Sequence, residues 1–296
     1  MSSYVDNMIR QFDCKTKEDV KKAIAASVQE LILAGMSKGG FFKEGTACGG
    51  TILRIFYDLP RFSEDIDLML DEPDTSFLLT DYSEAVIGEL KKYGINAEVT
   101  HVTMGRTVQA EIVSGLIYDV VTDTSYGFHP SEKFKIKVEV DTNPPEGCVS
   151  ETKYMKRPGF MAVRIYDEGS LFAGKIGAVL MRDWGDRVKG RDLYDYQWYI
   201  MRDTPVNMPF LESNLRQQGF IANDVAFDER MLKDMLKAKF SSLDYDKARD
   251  DLQSFVSAED AEQAKMWNAD FFCTITDDYL HVPTKSDGID TVKLDI

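Results

Sequence analysis

Asp65 and Asp67 stand two residues apart in "GGTILRIFYDLPRFSEDIDLML" (49–70), alternating with Ile66, Leu68 and Leu70. That alternation reads as a strand with one apolar face, which puts both carboxylates on the other face, about 7 Å apart. Two like charges so close call for a counter-charge. Oxygen-only donors suit a hard cation, Mg²⁺ or Mn²⁺, better than zinc or copper. Downstream, "KFKIKVEVDT" (133–142) sets Lys135, Lys137, Glu139 and Asp141 on one face and Ile136, Val138 and Val140 on the other. If these two strands are neighbours, three or four carboxylates converge, and hard cations there can hold a nucleoside triphosphate. Upstream, Gly49 and Gly50 open an apolar, helix-like run. Bare backbone N–H groups at such a start attract phosphate oxygens. The D-x-D pair by itself fits a solvent-facing edge strand better than a site; the combination with the glycines and the downstream acids points to phosphoryl transfer.

The elements that must position these residues follow from periodicity. Residues 17–36 place Val20, Ile24, Val28, Leu31 and Ile32 at helical spacing and predict an amphipathic helix, broken by "SKGG". After the short segment "FFKEGTA" comes the glycine turn with a short helix to Tyr57, then the strand 65–70. A helix over 80–93 ends at Gly94, and strand patterns rich in Val, Ile and Thr occupy 96–103, 107–121, 133–141 and 160–166, with "NPPEG" (143–147) as a turn. Beyond that the pattern is helical. The expectation is an α/β or α+β core with a mixed sheet over 1–166, followed by a helical region over 167–296.

Composition narrows the class. The chain has 296 residues, 44% of them hydrophobic, enough for a substantial core. Cys14, Cys48, Cys148 and Cys273 form no CxxC pair, and His101, His129 and His281 show no ligand or triad spacing. The absence of a leader or of an apolar run near 20 residues leads to the expectation of a cytoplasmic protein. The net charge of −15 argues against nucleic acid as a partner, but from Lys133 to Arg191 there are 12 bases against 8 acids. This basic island is either a mixed solvated surface or a phosphate-facing one. From Thr204 onward 18 acids face 10 bases, a solvated helical region that could exclude nucleic acid or meet a basic partner.

The stretch "GGTILRIFYDLPRFSEDIDL" resembles the nucleotidyltransferase-like proteins of the AbiE type, toxins of bacterial toxin–antitoxin and abortive-infection systems. "SLFAGKIGAVLMRDWGDRVKGRDLYDYQWYI" (170–200) is similar to the family's lysine-bearing helix and the K-x-RD-x-x-D helix after it. The resemblance spans about 49–200. It implies a nucleotidyltransferase-like mixed-sheet core with a C-terminal helical domain. It also implies a Mg²⁺-dependent enzyme that moves NMP from an NTP to an RNA acceptor, best the tRNA 3′ end, and releases pyrophosphate. A cognate antitoxin would be its partner. Two other readings stay open: transfer to a protein hydroxyl, and a nucleotide-dependent binding module without turnover.

Residue by residue, the resemblance implies Asp65 and Asp67 as metal ligands and Gly49, Gly50 and Thr51 around the triphosphate. Glu139 is preferred to Asp141 as the third acid, because it lies within the strand while Asp141 sits at its end. Lys175 shares a helix side with Arg182 beside a buried stripe, with Ser170 as a plausible N-cap; the stripe alone would make it a snorkelling surface lysine, and the resemblance makes it a triphosphate contact contributed by the helical domain. Asp192 and Asp195, at i and i+3, either orient Lys175, join the site, or pair with Lys189 and Arg191. Arg61 could grip a phosphate or brace its loop through Glu64. Ser63 sits close to the triphosphate reading, where phosphorylation would compete for Arg61 and the cation. The aromatic "DLYDYQWYI" is helix packing or a base-stacking platform.

Overall fold

Thr16 begins the longest helix. Its hydroxyl accepts from the Asp19 N–H while the Asp19 carboxylate accepts from the Thr16 N–H, closing a capping box, and Gly40, at φ 93°, ends the helix in the left-handed conformation. In this computed structural model the described residues are 3–12, 14–105, 107–121, 124–185 and 188–283, and they fall into two units: Met1–Pro144 with Ser150–Tyr166, and Pro145–Val149 with Asp167–Ile296.

The first unit contains α1 (Ser3–Gln11), α2 (Lys17–Gly39), β1 (Gly45–Cys48), α3 (Gly49–Phe56), β2 (Ile66–Leu70), α4 (Ser83–Lys92), β3 (Ala97–Met104), β4 (Val108–Leu116), β5 (Lys133–Asp141), β6 (Ser150–Met155) and β7 (Met161–Tyr166). The seven strands form one mixed sheet in the order β3-β4-β5-β2-β1-β7-β6. β2 runs parallel to β5 and β1 parallel to β7, while the remaining neighbours are antiparallel. The expected alternation of β5 holds: Phe134, Ile136, Val138 and Val140 are buried and the charged residues between them are not.

Two local expectations change. α2 is not one-sided, because α1, α4 and the sheet all pack on it and bury Ser27 to Met36 continuously, Gln29 and Glu30 included. The 107–121 strand stops at Leu116 and continues as a 3₁₀ turn over Ile117–Asp119. β6, mostly exposed and rich in charged residues, carried no strand pattern to read.

The second unit is helical: α5 (Glu168–Met181), α6 (Gly190–Met201), α7 (Met208–Gln217), α8 (Glu229–Ser241), α9 (Tyr245–Leu252), α10 (Ala258–Gln263) and α11 (Ala269–Tyr279). Asp167, not Ser170, caps α5; its carboxylate accepts from the Ser170 N–H, and the buried Ser170 hydroxyl instead accepts from the Val149 N–H. The aromatic run of α6 is core. Tyr199 stacks on Phe172 at 4.5 Å between ring centroids, and the buried Tyr196 shares a hydrogen bond with Thr276 at 2.7 Å. Among the described residues no helix is long and apolar enough to cross a membrane.

Candidate active site

The glycine turn is built around the second aspartate. Gly49 has φ 76°, a conformation that side chains disfavour, and a Cβ there would stand 2.1 Å from Asp67 Oδ2. A Cβ on Gly50 would stand 2.6 Å from Arg61 Nη2 and 2.9 Å from Ser63 Oγ. Both positions therefore need glycine for space, and the space is taken by Asp67, Arg61 and Ser63. The first turn of α3 follows directly, with no side chain capping it, so its N–H groups and the positive end of its dipole are available to an anion.

The strand carrying the acids is fixed from behind by three consecutive carbonyls. The Gln29 amide, in the buried stretch of α2, donates to Ser63 O and Glu64 O, both at 2.9 Å, and the Thr51 hydroxyl donates to Asp65 O at 2.5 Å. Thr51 is fully buried, so its side chain braces the acid strand, and only its backbone N–H belongs to the anion-facing turn. Gln29 in turn accepts from Arg54 Nη2 at 3.1 Å, and the neighbouring Glu30 accepts from Tyr4 and from Arg157. Gln29 is a positioning residue that sequence reasoning missed. The signal was a polar pair, Gln29-Glu30, inside an apolar helical run.

Register decides the arrangement of the acids. In the parallel β2/β5 pair, Asp67 lies opposite Glu139 and Met69 opposite Asp141. Glu139 is therefore the acid paired with Asp67 across the strands, with Cys48 of β1 on the other side of Asp67. Asp141 lies one pleat further along, its Oδ1 accepting from the Asn143 N–H at 2.8 Å; burial raises its pKa against that bond. Glu139 is turned toward Lys137, with Lys137 Nζ 2.6 Å from its Oε1. Among the described residues no three His, Cys, Asp or Glu side chains converge as a preformed metal cluster. Mutual repulsion of carboxylates and the lysine partner give a physical reason for that spread. β2 starts at Ile66, so Asp65, expected as the first strand residue, stands in the loop just before it; with Asp67 on β2 and Glu139 on β5 the donor set is still oxygen-only, which suits a hard cation.

Arg61 is buried and donates through Nη1 to Phe62 O at 2.8 Å, so it braces its own loop while its other end meets the Gly50 turn. Ser63 is likewise buried, and its modification would require that loop to open.

Within the second unit, Lys175, Asp192 and Asp195 come together. Lys175 Nζ is 2.8 Å from Asp192 Oδ1 and 2.8 Å from Asp195 Oδ2, and the lysine side chain keeps only 13% of its exposure. Arg182 Nη1 lies 2.9 Å from Asp192 Oδ2 outside hydrogen-bond geometry, so that contact is charge against charge. Burial opposes ionisation of Asp192, but Lys175 and Arg182 together outweigh it and hold its pKa below the usual carboxylate range. Both aspartates are thus ion-paired with Lys175.

The model of a known family, the nucleotidyl transferase AbiEii toxin of type IV toxin–antitoxin systems, matches residues 31–271. The chain belongs to this family. It is a nucleotidyltransferase of the toxin–antitoxin and abortive-infection kind. Among solved structures, MenT4, a nucleotidyltransferase toxin from Mycobacterium tuberculosis H37Rv, is similar over 96% of this chain and 90% of its own at 14% identity, with a TM-score of 0.51. JHP933 from Helicobacter pylori aligns over 85% of this chain and 87% of its own at 18% identity, with a TM-score of 0.45. No curated protein sequence matches. The first of these likenesses supports the α/β nucleotidyltransferase fold.

Proposed function

We propose that this AbiEii-family enzyme transfers NMP from an NTP to an RNA hydroxyl, with the tRNA 3′ end as acceptor, and that a divalent cation held by Asp65, Asp67 and Glu139 is required. Bound there, Mg²⁺ would neutralise charge on the triphosphate and on the transferring phosphoryl group. The protein's own part is positioning. The Gly49–Thr51 N–H groups and the α3 dipole hold phosphate oxygens, and the Gly49 turn keeps Asp67 in place. The acceptor oxygen attacks the α-phosphorus, forming one P–O bond as the bond to the β-phosphate bridge breaks; pyrophosphate leaves, and the hydroxyl proton passes to a carboxylate of the Asp67–Glu139 pair.

The observation that carries this reading is the juxtaposition of Asp67 with both Glu139 and the Gly49 turn, acid beside acid and acid beside phosphate cradle. A cognate antitoxin as restraint belongs to the same proposal, by membership of the family. Incubation with α-labelled NTP and Mg²⁺, in the presence of total tRNA or of total protein, tests it. Label should move to tRNA, and chelation should abolish the transfer. Label on protein would replace the acceptor, and label on neither would leave a nucleotide-binding module.

A further inference from the structure

β2 begins at Ile66, opposite Val138, whereas β4 accompanies β5 all the way from Lys133 to Asp141. Among the described residues Lys133–Lys137 therefore have no strand on the β2 side. In place of a strand there is a cleft of about 480 Å³, walled across from β5 by α2 at Lys21, Lys22 and Ala25, and ending at Phe62 and Asp65. We propose that this cleft seats the single-stranded 3′-terminal segment of a polynucleotide acceptor, an inference that rests on the RNA reading above.

Three properties point to that occupant. The first is charge. In a chain with 35 bases against 50 acids, Lys21, Lys22, Lys133, Lys135 and Lys137 line this one cleft against the acids Glu18, Glu64, Asp65 and Glu132, so that the cleft is locally cationic by one charge. Lys21, Lys133 and Lys137 share carboxylates at 2.6–3.1 Å, while Lys22 and Lys135 have no ion-pair partner among the described residues. Lys22 feels the Asp19 charge one helical turn away without a close ion pair, so Lys135 foremost and Lys22 beside it can meet an outside anion.

The second property is shape. Lys133, Lys135 and Lys137 follow one another at strand spacing, so the row runs about 13 Å along β5 and leads toward Glu139 and its neighbour Asp67. A row of cations that ends at carboxylates fits a chain of phosphates whose terminal hydroxyl must reach those carboxylates. A single triphosphate needs no such row. The open strand edge adds N–H donors for phosphate oxygens and carbonyls for sugar hydroxyls. The third property is the apolar lining. Phe62 is half-buried at the cleft's end beside Asp65, and Ile24 and Phe134 lie in the wall. An aromatic face beside a cationic row is how single strands are held without sequence preference, since every base has a face to stack. A peptide strand could also pair with a free edge, but the lysine row favours a polyanion.

The test uses the full chain with Lys22→Glu and Lys135→Glu combined, and the milder Lys22→Gln with Lys135→Gln as a second variant that spares the fold. The probe is a fluorescein-labelled single-stranded RNA with a free 3′ hydroxyl, titrated by anisotropy at several salt concentrations. RNA affinity should fall at least tenfold in the Glu variant. The slope of log K against log salt should flatten by about 1.4 in both variants, at roughly 0.7 for each phosphate contact removed. NTP affinity and melting temperature should not change. Unchanged RNA affinity and salt slope in both variants would overturn the cleft assignment. Label transfer separates the two levels: if the wild type labels RNA and the variants do so with unchanged KM for RNA, the RNA reading stands and the cleft falls. If the wild type labels protein and not RNA, and the variants lose that labelling, the cleft takes an acidic peptide and both proposals fail together.

Discussion

Removing the charge of Lys175 should cost the fold more than it costs nucleotide binding, and the size of that loss can be worked from the ion cluster. Lys175→Met keeps most of the stem and deletes the ammonium. Lys175 Nζ is held 2.8 Å from each of two carboxylates, and the side chains of Asp192 and Asp195 keep 5% and 0% of their exposure. Asp192 retains Arg182 after the substitution, and Asp195 loses its ion pair with Lys175. Breaking a buried pair by deleting one partner costs about 3–5 kcal/mol, and the surviving Arg182 contact places this case near the lower end, about 3 kcal/mol. At roughly 2–4 °C per kcal/mol the melting temperature should drop by roughly 6–12 °C. The assay is thermal unfolding of Lys175→Met, Asp195→Asn and the double variant. The double variant should recover part of the loss, with a coupling above about 1 kcal/mol, because the neutral amide no longer needs the ammonium. A melting temperature within 2 °C of wild type for Lys175→Met, together with a tenfold or larger loss of NTP affinity, would refute the structural reasoning and make Lys175 a ligand contact alone. The sequence pattern by itself makes Lys175 a snorkelling surface lysine; it is the family resemblance that favours the second outcome.

The remaining expectations concern the acid strand and the pH dependence of the ion cluster. Glu139→Gln should match Asp67→Asn in lowering transfer by more than about 100-fold, whereas Asp141→Asn should keep most of it; equal losses for Glu139→Gln and Asp141→Asn in single-turnover assays would remove the register argument. Gly49→Ala should cost about 1–2 kcal/mol for the left-handed backbone alone and abolish transfer by displacing Asp67, as thermal melts and turnover would show, and full turnover would break the link between the two. Gln29→Leu leaves two carbonyls without their donor, at about 1–3 kcal/mol each, and should lower both melting temperature and kcat; a loss of stability with unchanged kcat would reduce Gln29 to a packing residue. The Asp192 pKa lies below its unfolded value, so its stabilisation is fully present above that value, near 3.8, and fades as pH falls through the folded pKa. Stability of the helical unit should therefore hold from pH 7 to 5 and decline below about pH 4, and urea melts of Asp192→Asn should show a shallower acid decline than wild type.

What could be read from the sequence was what short-range periodicity encodes. β2 and β5 alternate strictly because one face of each is buried, so the polar faces of Asp67, Glu139 and Asp141 are legible in the sequence, whereas Asp65 stands one residue before β2. The glycine start of α3 is equally local. β6 was not legible because it is mostly exposed and offers no buried face. α2 was misread as one-sided because the sequence cannot show how many neighbours a helix will have; with α1, α4 and the sheet around it, even Gln29 and Glu30 are buried.

The sequence prefers Glu139 to Asp141 only by its place within the strand, and cannot show which of them lies beside Asp67, for the same reason. Both residues sit on the correct face, and only the pairing of Ile66 with Val138 sets Glu139, and not Asp141, beside Asp67. A slip of two residues in that register would keep every buried residue buried and bring Asp141 beside Asp67 instead. Burial therefore does not choose between these registers, because the hydrophobic pattern has period two. The choice rests on the ends of the strands: the loop before β2, pinned at the carbonyls of Ser63, Glu64 and Asp65 by Gln29 and Thr51, and the turn after β5, where Asp141 accepts from Asn143. The residues that hold Glu139, and not Asp141, beside Asp67 are thus a glutamine and a threonine that carry no chemistry of their own.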